Sequence, residues 1–432
     1  MGQQTQTGQA RFQQAQRQQI SFRSASLDQL LPEEHTARLI WAYVVALDLT
    51  ELYNEIRAVQ GGAGRNPIDP KILLSSWLMA TIDGVHSARR LDRLCKEQIS
   101  YQWMCGEISV NYHTLADFRV KHAELLDGLL TQSVAVLLQQ GLVELTRVAQ
   151  DGMRVRASAG AGSFRRKPTL DECLAEAEEH LEDLKREAEQ DGSAEDRRAK
   201  AAKLRAANDR HARLQKALEE REKLVPKLER RKKGSGKTAR TSMTDPEARK
   251  MKMADGGFRP AYNVQFATTT DTLVIVSTHV TNAGTDGGQM GPMVEQIEQR
   301  YQQRPDEYLA DGGFVSLSDI TELEKSGVTM YLPIMKLDQK RSKGIDPYAP
   351  VKGDSEEVKR WRARMGTEAG QEIYRQRGVT SEFPNATCRN RNLKQFNVRG
   401  LVKAKSVSLL QALAHNFQRT LDLRRKAGLA LV

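Results

Sequence analysis

The first third of the chain carries apolar residues at helical spacing. Ile72, Leu73 and Trp77, for example, lie on one stripe of such a segment. The pattern predicts helices over residues 32–58, 70–83, 88–99, 113–121 and 123–140. We therefore expect an all-α N-terminal domain over residues 23–143. Residues 1–22 are Gln-rich and poor in large apolar groups, which predicts a disordered tail.

Residues 169–232 follow a different rhythm, with leucine and alanine at alternating spacings of four and three among many charges. This pattern predicts two helices joined by a turn at residues 191–193. Because the two seams have similar length, we expect an antiparallel coiled-coil hairpin. Pro226 should kink or end the second helix, and His211 is interpreted as a tolerated seam residue. Acids and bases nearly balance, so a dimer contact or a spacer is favoured over DNA binding.

Residues 144–168 and 233–432 mix short strand patterns with helices. Residues 262–267 and 273–278 are predicted to form a β-hairpin that turns near residues 269–271, and residues 328–334 are predicted to form another strand. The predicted helices cover residues 290–301, 361–377 and 398–419. Ser318 is predicted to N-cap a short helix and Asp286 to start the helix at residue 290. The sequence thus predicts an α/β mixed sheet with flanking helices, interrupted by the helical hairpin and preceded by the all-α domain.

Three acidic residues stand in settings that suit metal-assisted cleavage of phosphodiesters. Asp151 lies within a strand pattern, Asp311 ends a second strand, and Glu382 follows an arginine-rich segment. Carboxylate oxygens are ligands for Mg²⁺, and guanidinium groups bind phosphate. Metal bound in this way lowers the pKa of an attacking water. The three acids are therefore the candidate catalytic residues.

Each acid also has a simpler interpretation when taken alone. An Asp-Gly pair such as Asp151-Gly152 is usually a turn, and an arginine-rich helix with one Glu is usually a solvated face. Asp286 and Asp255 are interpreted as a cap and a turn residue rather than as members of the set. Only the order and the setting of the three acids together favour catalysis.

The charge distribution favours a polyanionic partner. The chain has 66 Lys and Arg against 55 Asp and Glu, a net charge of +11. From residue 371 to the end there are twelve basic residues and three acids. We expect DNA to bind here, although a solvated basic tail is the alternative for residues 424–426. The N-terminal domain is also expected to bind DNA through basic residues of its third predicted helix, Arg89, Arg90, Arg93 and Lys96, for which a solvated face is an equally good interpretation.

The segment Lys232–Thr238 ends in Gly-Lys-Thr, which resembles part of a phosphate-binding loop. That motif needs a glycine where this chain has Arg231, so we predict a flexible basic linker and no nucleotide. No segment has the length and apolar character of a membrane span, and we expect the protein in the cytoplasm, associated with the nucleoid. The four cysteines lack metal-ligand spacing and are expected to be reduced.

Several motifs along the chain resemble those of DDE-type transposases of bacterial insertion sequences. They include residues 111–119, 244–249, 256–265 and 310–314, and the ordered set Tyr374, Arg377, Glu382 and Arg389. One departure is Pro384, two positions after Glu382, where a helix is expected and proline should kink or start it. The resemblance implies a ribonuclease-H-like catalytic domain over residues 144–168 and 233–432, with the hairpin of residues 169–232 as an insertion.

The resemblance also implies a mechanism. Asp151, Asp311 and Glu382 would bind two Mg²⁺ ions, for which Mn²⁺ could substitute, and Tyr374, Arg377 and Arg389 would bind DNA. The protein would cleave at the terminal inverted repeats of its element and join the freed 3′-hydroxyl to target DNA, acting as a homodimer. Two alternatives stay open, a DNA-binding remnant without catalysis and a nuclease of the same fold without strand transfer. A coiled-coil scaffold explains only the hairpin.

Overall fold

The structure is a computed structural model that describes residues 24–56, 66–188 and 194–431. The tail predicted for residues 1–22 and the turn predicted for residues 191–193 lie outside these ranges. None of the helices described is both long enough and apolar enough to cross a membrane. All four cysteines are free, as expected.

The N-terminal part is helical. Its helices are α1 (Thr36–Val45), α2 (Thr50–Asn54), α3 (Pro70–Ile82), α4 (Ala88–Glu97), α5 (Ile99–Cys105), α6 (Tyr112–Lys121) and α7 (Ala123–Gln139). The single helix predicted for residues 32–58 is wrong, because α1 ends at Val45 and α2 begins at Thr50. Asp69 accepts a hydrogen bond from the backbone of Lys71 and so caps α3. Nearly all of α3 is buried, with Trp77 at its centre.

A six-stranded sheet forms the centre of the remainder. Its strands are β1 (Arg147–Arg156), β4 (Arg249–Lys252), β5 (Phe258–Thr269), β6 (Ile275–Thr281), β7 (Glu307–Ala310) and β8 (Thr329–Tyr331). They follow the order β4-β5-β1-β7-β8, with β6 also paired to β5. The predicted hairpin near residue 270 is confirmed by the antiparallel β5 and β6. β1 pairs antiparallel to β5 and parallel to β7, which gives a mixed sheet. The short strands β2 (Phe164–Arg165) and β3 (Thr241–Ser242) pair separately.

Helices flank this sheet. They are α10 (Met290–Tyr301), α11 (Leu317–Lys325), α12 (Leu337–Arg341), α13 (Glu356–Gly366), α14 (Glu368–Asn390) and α15 (Leu401–Lys426). Ser316 rather than Ser318 caps α11, because its hydroxyl accepts from the backbone of Asp319. The interpretation of Asp286 as a cap is also wrong, because α10 begins after Gln289. α15 packs on α3, α6 and α7 as well as on β6, so the N-terminal helices and the sheet share one hydrophobic core.

Two long helices, α8 (Lys167–Ala188) and α9 (Ala194–Arg231), lie between β2 and β3. They run antiparallel, since Leu170 packs near Leu214 and Leu184 near Ala207. The expected end of the second helix at Pro226 is wrong, because α9 continues to Arg231. The expected flexible linker after it is also wrong, because residues 235–238 form a short 3-10 helix anchored by Glu229.

Candidate active site

Asp151 and Asp311 lie side by side on neighbouring strands. In the parallel pair β1 and β7, Gln150 stands opposite Ala310, so the next residue of each strand is one of the two acids. Strand β7 ends there, and Asp311 caps a short 3-10 helix over residues 312–314. Both side chains are half-buried. The register of the sheet therefore brings together two of the three predicted acids.

The Asp151 carboxylate is held by two hydrogen bonds. The backbone N–H of Gly152 donates to Oδ1 over 2.8 Å, and Nδ2 of Asn385 donates to Oδ2 over 2.8 Å. Burial raises the pKa of Asp151 to about 6, and the negative charges of Asp311 and Asp286 act in the same direction. The hydrogen bond from Gly152 and the positive charge of Arg377 oppose this shift of the pKa. The effects that raise the pKa of Asp151 therefore outweigh those that lower it.

Asp311 is oriented by the loop that follows it. Its Oδ1 accepts a hydrogen bond from the backbone N–H of Gly313 over 2.8 Å. A side chain at Gly313 would have its Cβ 3.0 Å from this oxygen and 3.3 Å from Oδ2 of Asp286. Gly313 thus leaves room for the carboxylates of Asp311 and Asp286 at the end of β7.

The third predicted acid lies on α14, which packs across β1, β5 and β7. Proline at position 384 neither starts nor ends this helix, which runs from Glu368 to Asn390, so the predicted helix start there is wrong. Glu382 is exposed, three residues before the Asn385 that contacts Asp151. Within the ranges that the structure describes, no three acidic, histidine or cysteine side chains stand close enough to hold a metal ion as they lie. The structure therefore pairs Asp151 with Asp311 but leaves the Glu382 carboxylate apart.

The three predicted DNA-binding residues lie in two places. The guanidinium of Arg377 stands 5.8 Å from the ring centroid of Tyr374, and its charge acts on Asp151. Burial raises the pKa of Tyr374, and the charge of Asp311 adds to the effect. Tyr374 and Arg377 therefore belong to the surroundings of the two aspartates. Arg389, three turns further along α14, instead lines a separate cleft.

Asp286 is a member of these surroundings that sequence reasoning missed. Its buried carboxylate accepts hydrogen bonds from Nδ2 of Asn263 over 2.7 Å and from Nε2 of Gln265 over 2.8 Å. Arg154 forms an ion pair with it over 2.7 Å. Asn263 and Gln265 are fully buried polar residues within β5, and such residues need a partner. Their presence among the apolar residues Tyr262, Val264 and Phe266 was the signal in the sequence.

Gly152 is required by the position of Asp286. Asp286 with its partners Asn263, Gln265 and Arg154 forms the Asp286 cluster. Successive side chains of a strand point to opposite faces, so Asp151 faces α14 while Gly152 faces this cluster. A Cβ at Gly152 would lie 2.4 Å from Nε2 of Gln265 and 2.5 Å from Oδ1 of Asp286. No side chain fits there without moving both groups. The Asp-Gly pair is therefore part of a strand and not the turn that such a pair usually marks.

The comparisons with known families place transposase domains in two parts of the chain. A family model described as Transposase domain (DUF772) matches residues 25–121, and one described as Transposase DDE domain matches residues 227–417. The second range contains Asp311 and Glu382, whereas Asp151 lies between the two ranges. No curated protein and no solved structure matches the chain significantly. Domains of these kinds indicate a function in transposition, with DNA as partner.

Proposed function

We propose that this chain, a DDE-type transposase of an insertion sequence by its two matched domains, cleaves DNA at the ends of its element and joins the freed 3′-hydroxyl to target DNA. The catalytic residues would be Asp151, Asp311 and Glu382 in a ribonuclease-H-like domain. One observation carries the proposal. The register of β1 against β7 sets Asp151 beside Asp311, although 160 residues separate them in the chain.

The donors present suit a hard divalent cation. Carboxylate oxygens are the ligands that Mg²⁺ prefers. Burial and the neighbouring acids raise the pKa of Asp151, and a bound cation would stabilise its ionised form. Asp151 and Asp311 would hold the metal, and Glu382 would join them from α14. Two bound Mg²⁺ ions, or Mn²⁺ in their place, would supply a water of lowered pKa and neutralise the leaving oxygen.

The protein's own contribution is to orient the carboxylates before DNA arrives. Gly152 and Asn385 fix both oxygens of Asp151, and Gly313 fixes one oxygen of Asp311. Oriented acids of this kind lower the cost of organising the reacting groups. Asp286 stands behind Gly152 and keeps this part of β1 in place through its contacts to β5.

Arg377 and Tyr374 would position the scissile phosphate. The Nε atom of Arg377 is buried and has no hydrogen-bond partner in the described parts of the chain, so this guanidinium has a donor to offer a phosphate oxygen. Its ring contact with Tyr374 restricts where the guanidinium lies. Arg389 would bind the DNA backbone away from this point. The partners would be the terminal inverted repeats and a target duplex, bound by a homodimer that uses no nucleotide.

A DNA-binding remnant without catalysis is a second candidate, favoured by the position of Glu382. Its side chain is exposed and forms no hydrogen bond or ion pair with any residue that the structure describes. If its carboxylate did not reach the two aspartates when DNA and metal bind, the site would lack its third acid. The protein would then bind DNA without cutting it.

The test is Mg²⁺-dependent cleavage of a plasmid that carries the gene with its flanking DNA. Wild type is compared with Asp311→Asn, and with Asp183→Asn on the exposed side of α8 as the matched control. We expect breaks at the element's ends with wild type and with the control, and none with Asp311→Asn. Joined products in the same reaction separate a transposase from a nuclease.

Two outcomes would overturn the proposal. Full cleavage by Asp311→Asn would show that the acids are wrongly assigned. Binding of the ends without cleavage in either Mg²⁺ or Mn²⁺ would favour the remnant.

A further inference from the structure

A strongly basic cleft of about 830 Å³ lies beside β1, the strand that carries Asp151. It runs between β1, the turn that joins β4 to β5, and the segment that follows α14. Gly152 is part of its wall, so the cleft begins at the residue after the first candidate acid. Six basic side chains line it against one acid, Asp255: Arg154, Arg156, Lys252, Arg259, Arg389 and Lys394.

Only two of these six cations have a carboxylate partner. Arg154 pairs with Asp286 and Arg259 pairs with Asp255, each over 2.7 Å. The other four, Arg156, Lys252, Arg389 and Lys394, are exposed, and none has a carboxylate oxygen within 4.0 Å among the residues described. Cations grouped in this way repel one another, and an anion between them removes that repulsion.

An ordinary solvated face looks different elsewhere in this chain. On the helices α8 and α9, basic residues alternate with acids and many pair with them, as Lys167 does with Asp171 and Arg186 with Asp183. The cleft concentrates unpaired cations on three separate elements of the fold. Only the tertiary structure brings Arg156 of β1 near Lys394 after α14, where the neighbouring Gln395 bridges to Arg156.

An exposed aromatic residue is the strand partner of Lys252, one of the cations that line the cleft. Phe258 is 68% exposed, the largest such value among the well-exposed aromatic residues that the structure describes. It stands directly opposite Lys252 in the antiparallel pair of β4 and β5. Residues opposite each other in such a pair point to the same face, so the Phe258 ring and the Lys252 side chain lie on the same side of β4 and β5. A ring beside cations suits a ligand with both phosphates and bases, because bases stack on aromatic side chains.

We propose that this cleft binds one strand of the DNA next to the cleavage point. Arg156, Lys252, Arg389 and Lys394 contact successive phosphates, and Phe258 stacks against a base of the same strand. The strand leaves the two aspartates past Gly152. This inference rests on the proposed function, since it takes DNA as the polyanion, and it names the part of the fold that guides the strand.

The first experiment measures binding of an element end in EDTA, across a salt series from about 50 mM to about 200 mM. The variant Arg156→Gln/Lys394→Gln is compared with wild type and with Lys185→Gln/Lys203→Gln, which removes the same charge from exposed positions of α8 and α9. We expect the slope of log K against log salt to become shallower by about 1.4 to 1.8 in the cleft variant, because each lost phosphate contact removes about 0.7 to 0.9. The control variant should keep the slope of the wild type.

The second experiment addresses the ring. Phe258→Ala should bind the element end about tenfold more weakly, since stacking of one base contributes on the order of 1 to 3 kcal/mol, and Phe258→Trp should restore binding. A fluorescent base analogue placed near the cleavage point should be quenched by wild type and by Phe258→Trp but not by Phe258→Ala. The exposed position of Phe258 makes a folding defect in these variants easy to exclude by thermal melting.

An unchanged salt slope in the double variant would overturn the proposal. So would equal competition by an acidic polypeptide and by DNA, which would make the cleft a site for acidic proteins. Because these measurements use no metal, they are independent of catalysis. An unchanged slope together with Asp311-dependent cleavage would refute the cleft alone, whereas a shallower slope in a protein that never cleaves would refute the proposed function alone.

Discussion

Asn385 on α14 donates a hydrogen bond to Oδ2 of Asp151 on β1 over 2.8 Å, across 234 residues of chain. The bond joins the helix that carries Glu382 to the strand that carries the first acid. Asn385 is itself buried, and its Oδ1 has no hydrogen-bond partner among the residues that the structure describes. Packing of α14 across the sheet sets the position of the helix, and the Asn385 amide orients the Asp151 carboxylate from it.

Removal of that amide should impair cleavage more than binding. We expect Asn385→Ala to lower the cleavage rate by about ten- to a hundredfold, as loss of a residue that orients a metal ligand usually does. Binding of the element end in EDTA should be unchanged. Asn390→Ala, at the exposed end of the same helix, is the control and should cleave normally. Equal loss of binding and cleavage in Asn385→Ala would contradict an orienting role.

The raised pKa of Asp151 predicts the pH dependence of cleavage. Burial and neighbouring acids raise this pKa to about 6, so the carboxylate becomes protonated below that pH and no longer suits a cation. We expect the single-turnover rate to fall about tenfold per pH unit below the inflection. Because metal and proton compete for the carboxylate, more Mg²⁺ should move the inflection to lower pH. A rate that is constant from about pH 8 down to about pH 5 would refute this assignment.

Arg377 should set where that inflection lies. Its positive charge lowers the pKa of Asp151, so Arg377→Ala should move the inflection of the pH profile upward. Arg377→Lys keeps the charge and should leave the inflection near that of the wild type, although it loses the planar contact to phosphate. Profiles of the two variants measured side by side distinguish the electrostatic effect from phosphate binding. Identical profiles for both variants would show that the charge of Arg377 does not act on Asp151.

Asp151 should lower the stability of the folded protein at neutral pH. A carboxyl group whose pKa is raised in the folded state destabilises that state when ionised. This loss of folding free energy is complete above about pH 6 and shrinks as the pH falls below that value, because the folded state then binds the proton. Asp151→Asn should therefore raise the free energy of unfolding by about 1 to 2 kcal/mol near pH 7 without metal. The amide of an asparagine at position 151 can donate to Oδ1 of Asn385 if the Asn385 amide group rotates by half a turn. Thermal melts should show a gain that shrinks toward about pH 4. A gain independent of pH would need another cause.

Gly152 should not tolerate even a methyl group. Gly152→Ala places a Cβ 2.4 Å from Gln265 and 2.5 Å from Asp286, and such overpacking costs about 1 to 3 kcal/mol. The same substitution at Gly160 meets no atom within 4 Å and has an ordinary φ, so it is the matched control. Urea unfolding measures both. Equal free energies of unfolding for the two variants would show that Gln265 and Asp286 can move to accommodate the methyl group without loss of stability.

Much of the local structure could be predicted from the sequence. The hairpin of β5 and β6 and the helix α10 lie close to where alternation and helical spacing put them, because a buried face must repeat with the period of its element. The errors have physical causes as well. Pro226 and Pro384 both lie inside helices, since packing along the helix outweighs one missing N–H and its local strain. The capping of α11 by Ser316 was missed by two residues, which is within the usual uncertainty of a helix end.

Part of the candidate site could likewise be predicted from the sequence and part could not. Sequence motifs were enough to single out Asp151, Asp311 and Glu382, because the chemistry of phosphodiester cleavage restricts which residue types serve and a family resemblance supplies their order. Asp286 was misinterpreted as a cap, although the polar residues Asn263 and Gln265 within β5 pointed to a buried partner. A pattern along one strand shows that a polar group is needed but not which distant residue supplies it.

The sequence by itself thus determined most of the helices and strands, the three candidate acids and the excess of positive charge. Only the tertiary structure decided that Asn385 orients Asp151, that Asp286 lies behind Gly152, and that Arg389 faces a cleft apart from Arg377. The physical reason is distance along the chain. Helical and strand periods arise from neighbouring residues, whereas a contact between residues 151 and 385 depends on the register of the sheet and on the packing of α14 across it.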